Sequence, residues 1–240
     1  MRRTPVIALA AGALLGGPAA SAPAASVELM VVGKDRTLEA PHAVRAKPAR
    51  VRVGGRRCAV GADTPLAALL AARVRVGLRD FGACGRSARD AGGLFVRQVG
   101  PDRNRGRDGW VYKVGRRAGT APAADLSGPF GSGRLRAGQR VVWFWCVLSR
   151  AESCQRTLEA SPAASRVAPG GALRVTVSGY DDAGRGVRIA GATVRLGAGS
   201  AVTGTDGVAT VAAPAAAGTA ELEAQAPGTV PSFPRRVRVG

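Results

Sequence analysis

Short apolar runs broken by glycine, proline and charged turns recur along this chain, and most are too short to be helices. Val27–Val32 reads as a first strand, closed by the Gly33-Lys34-Asp35 turn. Thr37–Val44 and Ala49–Val53 read as further extended segments. One helix stands out. Asp63 or Thr64 caps it, Pro65 suits its first turn, and Leu66-Ala67-Ala68-Leu69-Leu70-Ala71-Ala72 continues it. Leu66, Leu69 and Leu70 share one face, which predicts packing on a sheet, and the small alanines elsewhere imply close approach to other backbone. Strand character resumes at Val74–Phe81 and Leu94–Val99, followed by a polar loop, Pro101–Gly109. Two aromatic strands come next, Gly109–Val114 and Arg140–Cys146, separated by a Gly/Ala/Pro-rich excursion from Arg116 to Gly133. Strands, one helix, then more strands predict a small α+β sheet with a helix on one face.

After Cys154 the texture changes. Aromatics nearly vanish, and short strands alternate with glycine turns: Leu173–Val177, Ala192–Leu196, Gly207–Val211, Ala220–Ala224 and Arg235–Val239. That spacing, without helical period, predicts a β-sandwich. The expected organisation is a leader at 1–24, an α+β domain at 25–154 and an Ig-like sandwich at 155–240. The leader rests on Arg2 and Arg3, the apolar run Val6–Leu15 and small residues up to Ala24, the three parts of a secretory signal. No later apolar run reaches the ~18 residues that a membrane span needs.

Aromatics are 4% of the sequence, and Trp110, Tyr112, Phe130, Trp143, Phe144 and Trp145 fall within one span. Alternation places Trp143 and Trp145 on one face of their strand, and Val142, Phe144 and Cys146 on the other. Trp110, Tyr112 and Val114 share a face of the neighbouring strand. These aromatics form either a core beneath the helix or an exposed platform on which sugar rings or flat ligands stack. Trp143, Trp145, Trp110 and Tyr112 are therefore the candidate ligand-binding residues.

Cys58, Cys84, Cys146 and Cys154 suit an exported chain, where disulfides persist. Four cysteines allow three connectivities, and proximity favours Cys58–Cys84 and Cys146–Cys154. Without a C-x-x-C pair, and with His42 as sole histidine, no metal is expected.

The net charge is +19, and all but Lys34, Lys47 and Lys113 of the 35 basic residues are arginine. That skew, with abundant Ala, Gly and Val, is what the coding sequence of a GC-rich bacterium produces. The charge is uneven. Residues 25–155 hold 24 basic and 10 acidic side chains, net +14, against 9 and 6, net +3, in residues 156–240. The first of these will attract cell-wall or other extracellular polyanions in a salt-sensitive way. No nucleic-acid-reading motif is present.

Catalysis finds little support. His42 lies in an extended segment, and no Gly-x-Ser-x-Gly elbow accompanies it. Asp102-x-Asn104-x-Gly106-x-Asp108 has oxygens at calcium-loop positions. Lys113 occupies the twelfth place, where a glutamate belongs, and Arg103, Arg105 and Arg107 would repel a cation, so a solvated loop is expected.

Three motifs occur in a telling order: Thr64-Pro65-Leu66-Ala67-Ala68-Leu69-Leu70, Gly109-Trp110-Val111-Tyr112-Lys113-Val114, and Leu135-Arg136-Ala137-Gly138-Gln139-Arg140-Val141-Val142-Trp143. In this order, residues 27–150 resemble the DUF4430, or transcobalamin C-terminal-like, group of β-grasp domains. Two departures stand out: Gly115 directly follows Val114, and Gln139 stands where the family's turn carries an acid. The resemblance implies a β-grasp fold that binds a soluble ligand. Some relatives enclose cobalamin jointly with a helical-barrel domain that has no counterpart here, so no cofactor is expected. Residues 156–240 resemble bacterial Ig-like or carboxypeptidase-regulatory-like repeats, through Ile189–Leu196 and the Thr203–Val211 segment with its Asp206-Gly207 hairpin turn. Such modules imply a spacer or adhesive role.

The expectation is thus an exported, non-catalytic protein that binds a small ligand, carbohydrate or surface partner. The competing expectation is an envelope protein held on polyanions without a pocket.

Overall fold

The computed structural model describes residues 23–82, 84 and 92–240. The leader expected at 1–24 lies, but for its last two residues, outside this range. The chain is mostly β, with one short helix among the described residues.

The N-terminal region contains β1 (Ser26–Val32), β2 (Thr37–Arg45), β3 (Ala49–Val53), β4 (Arg56–Val60), α1 (Pro65–Leu70), β5 (Val76–Asp80), β6 (Leu94–Val99), β7 (Asp102–Arg103), β8 (Gly109–Val114), β9 (Arg117–Ala118) and β10 (Arg140–Cys146). Its main sheet runs β2-β1-β10-β8-β9. β1 and β10 are parallel at its centre and the remaining pairs antiparallel. Two smaller sheets, β3-β4 and β5-β6-β7, complete the region. Strand β4 was not expected from the sequence, because Arg56 and Arg57 hide the alternation that buries Cys58 and Val60.

Helix α1 is shorter than expected and ends at Leu70. Thr64 caps it, its hydroxyl accepting from Ala67 N–H at 3.1 Å. Asp63 does not cap; it adopts a φ of 59° and its carboxylate accepts from Ala25 N–H at 2.6 Å. Leu66 and Leu69 are buried, and so are Ala67 and Ala68. Leu70 is only half-buried.

The C-terminal region contains β11 (Thr157–Pro162), β12 (Arg166–Val167), β13 (Ala172–Tyr180), β14 (Gly186–Arg188), β15 (Thr193–Leu196), β16 (Gly199–Val202), β17 (Val208–Ala212), β18 (Gly218–Gln225) and β19 (Arg235–Val239). Two sheets form: β11-β13-β14, in which β17 also pairs with β13, and β12-β19-β18-β15-β16. Between them lie Leu158, Val175, Val177, Val194, Leu196, Val211, Leu222 and Val237. This is the expected sandwich. The Asp206-Gly207 turn forms, with Asp206 Oδ1 accepting from Val208 N–H at 2.9 Å. It does not close a hairpin, however: β16 and β17 belong to opposite sheets, so the turn hands the chain across the core.

The two regions are packed together through the main sheet. On one face, Trp143 and Trp145 join the core under α1. On the other, Met30, Val142, Phe144 and Cys146 form a separate core with Val230, edged by Phe233. Both faces of β10 are apolar because each covers a different partner. Lys113, fully buried, reinforces the junction: its ammonium donates to Tyr180 C=O at 3.0 Å and lies 3.3 Å from Asp182 Oδ1. Arg116 stacks 4.3 Å over the Tyr180 ring and pairs with Glu159 at 2.7 Å. Both favoured disulfides, Cys58–Cys84 and Cys146–Cys154, are formed. Asp80 lies beside the first pair, but sulfurs bonded to each other are not metal ligands.

A candidate ligand pocket between β6 and β8

The four candidate aromatics assemble into one cluster. Register places Trp143 opposite Tyr112 and Trp145 opposite Trp110. The Tyr112 and Trp143 rings lie 5.2 Å apart, and Trp110 and Trp145 meet edge to face at 6.1 Å. The exposed stacking platform does not form: Trp143 retains 2% and Trp145 6% of its surface. Their polar handles are also engaged. Trp143 Nε1 donates to Pro65 C=O at 3.2 Å, and Trp110 Nε1 to Asp102 C=O at 2.8 Å. Tyr112 O–H donates to Ala121 C=O at 2.6 Å. Burial, and secondarily the Asp125 carboxylate, raises the Tyr112 pKa to about 12.

The cluster nevertheless borders open space. A cavity of about 530 Å³ lies between β6 and β8, within the range of small-ligand pockets. Trp110, Tyr112 and Trp143 line it; Trp145 does not. Leu94 and Val96 form the opposite wall, and Ala118, Gly119 and Ala121 to Ala123 close one side. Gly119 is required there, because a Cβ would stand 2.0 Å from the Tyr112 ring. At the mouth, Phe81 and Phe95 stay 64% and 44% exposed and pack edge to face at 5.7 Å. Arg79 sits 4.6 Å over the Phe81 ring.

Asn104 links two strands that line the pocket. Its Nδ2 donates to Val96 C=O at 3.1 Å, and its Oδ1 accepts from Trp110 N–H at 3.0 Å, so one amide spans both strands. Sequence reasoning placed Asn104 in a solvated loop. The structure corrects this: the loop's polar atoms tie separate segments together. Asp102 Oδ2 accepts from Lys34 N–H at 3.0 Å and Asp108 Oδ1 from Leu148 N–H at 2.9 Å. The alternating Asp-x-Asn-x-Gly pattern was the signal for Asn104, but it pointed to a cation rather than to backbone. His42 lies on β2, with Nε2 3.4 Å from Glu39 Oε1 and Nδ1 3.0 Å from Ala40 C=O.

No protein-family model matches the chain, and no curated protein matches it either. Among solved structures, the D00-D0 domain of Intimin is similar at 13% identity, over 88% of this chain and 95% of that chain, with a TM-score of 0.28. That is a distant likeness.

Proposed function

We propose that this is an exported, non-catalytic binding protein whose N-terminal region holds an apolar ligand between β6 and β8, while its C-terminal sandwich acts as an Ig-like spacer or presenter. The observation that carries the reading is the pocket itself, where Trp110, Tyr112 and Trp143 meet Leu94 and Val96 around open space. Two disulfides favour an oxidising compartment, outside the cell or in its envelope. A domain division near residue 155 agrees with two separate cores. The β-grasp reading of residues 27–150 is supported by the parallel central pair β1–β10, flanked by β2 on one side and by β8 and β9 on the other.

The test is binding of an apolar fluorescent dye, anilinonaphthalene sulfonate, to the full chain. One molecule should bind per chain, and Ala121→Phe, which fills the pocket from its wall, should weaken binding at least tenfold while leaving Tm near that of the parent. Equal binding by parent and variant would sink the reading.

A second reading has its own observation, the +14 charge of residues 25–155. In it the protein is held on envelope polyanions by its arginines. Retention on purified cell wall would then disappear above ~0.3 M salt, where screening is short-ranged.

A further inference from the structure

We infer that the outer face of the C-terminal sandwich, where β12, β19 and β18 meet, is a binding site for a phosphate-bearing glycan. This gives the sandwich a ligand of its own, apart from the apolar pocket and from the diffuse charge of residues 25–155.

Arginine placement carries the argument. Residues 156–240 hold nine arginines. Five are engaged: Arg185, Arg195 and Arg235 with carboxylates, Arg156 with backbone carbonyls, and Arg188 with the Ser178 hydroxyl. Among the described residues, Arg166, Arg174, Arg236 and Arg238 have no carboxylate partner. Three of these four gather on one face. Register sets Arg166 opposite Arg238 across β12 and β19, and Arg238 opposite Thr219 across β19 and β18. Val237, Val239 and Ala220 belong to the core of the sandwich, so Arg236, Arg238 and Thr219 point outward, beside the exposed Arg166.

These side chains surround a concavity of about 430 Å³, completed by Ser165, and no acidic residue lines it. Neighbouring strands stand ~4.8 Å apart, and alternate positions along one strand ~6.6 Å, so three guanidiniums and two hydroxyls come within reach of one small anion. A phosphate ester suits them better than a carboxylate: it offers three oxygens and a charge of about −2, and the guanidinium fork binds it bidentately. Like charges on facing positions repel, so the bare site carries a repulsion that a bound anion removes.

At Ser165 and Arg236 the concavity continues into a wider groove of about 790 Å³, at the junction of the two regions. Charge there is balanced. Arg140 pairs with Glu28 at 2.7 Å, Arg235 with Glu159 at 2.5 Å, and Glu221 stands opposite Arg236 in the β18–β19 register. Pro41, Pro162 and Pro234 supply apolar wall. Glu28 and Glu221 repel a chain charged at every unit, such as a nucleic acid, but accept from the hydroxyls of a neutral sugar chain. The ligand therefore offers one phosphate to the arginines and uncharged sugars to the groove.

The test titrates pentamannose 6-phosphate into the full chain by calorimetry at ~0.15 M salt. One molecule should bind per chain. Pentamannose without the phosphate, and inorganic phosphate without the sugars, should each bind at least tenfold more weakly. Arg166→Gln/Arg238→Gln should weaken binding at least tenfold, with Tm at or above that of the parent. Thr219→Glu, which sets a carboxylate among the three guanidiniums, should weaken it as much and raise Tm. Arg50→Gln/Arg52→Gln, at exposed positions of β3, should bind as the parent does. Three results overturn the inference: equal binding by the parent and the Arg166/Arg238 variant, equal binding of a single-stranded oligonucleotide and the phosphorylated sugar, or an equal loss in the Arg50/Arg52 variant. The last of these would assign the binding to the diffuse charge of residues 25–155.

Discussion

The sandwich and the N-terminal sheet bury their strands in opposite ways. Along β18 buried and exposed residues alternate, so each strand of the sandwich contributes one face to one core. Strand β10 is buried at every position from Val141 to Cys146. It separates two cores, one holding α1 and the aromatic cluster, the other holding Phe144 against Val230 and Phe233. Large side chains are therefore concentrated where a strand has two partners. The sandwich needs only Val, Leu and Ala, because two regular sheets stack closely.

Removing the side chain on which this contrast depends should have the largest effect. Phe144→Ala opens a cavity in the core between the regions, and a loss of about 3–5 kcal/mol is expected in denaturant unfolding. The two regions should then melt in separate calorimetric transitions; a single unshifted transition would show that the core does not couple them.

The disulfides sharpen the same contrast, because one lies in each core of the N-terminal region. Cys58–Cys84 closes a separation of 26 residues and Cys146–Cys154 one of 8. Chain entropy then predicts losses of about 3.5 and about 2.5 kcal/mol for the paired serine variants. A reversed order would mean that the Cys146–Cys154 link does more than shorten the unfolded chain.

Tyr112→Phe removes the hydroxyl that donates to Ala121 C=O at 2.6 Å, with Pro129 C=O at 3.5 Å, for a loss of about 1 kcal/mol at neutral pH. The folded pKa is raised to about 12 from 10.0, so the contribution is complete below pH 10 and is lost as pH rises from 10 through 12. Thermal melts of the phenylalanine variant should lack that part of the alkaline loss.

Lys113 gives the smallest effect, a slope. Desolvation lowers its pKa, against the opposing pull of Asp182. The unfolded chain then holds the proton more tightly, so stability should rise with pH between the lowered value and 10.5. In Lys113→Met that rise should vanish; persistence of the slope would assign it to another group.

Much of this was legible in the sequence. The helix cap at Thr64, the sandwich and the aromatic pair of strands follow from spacing, and the disulfide pairs from proximity. β10 was not resolved, because an unbroken apolar run has no phase and so names two faces without naming their partners. The choice between core and platform for Trp110, Tyr112, Trp143 and Trp145 stayed open, since a stacking platform and a doubly covered strand share one pattern. Asn104 escaped because a bridging amide and a loop amide look alike until β6 and β8 are placed beside each other.

The central claim is an apolar pocket walled by Trp110, Tyr112 and Trp143, and energy transfer from tryptophan to a bound dye tests it directly. Anilinonaphthalene sulfonate should quench the tryptophan emission of the parent with a stoichiometry of one and leave that of Ala121→Phe unchanged. Equal quenching of both proteins would contradict the pocket.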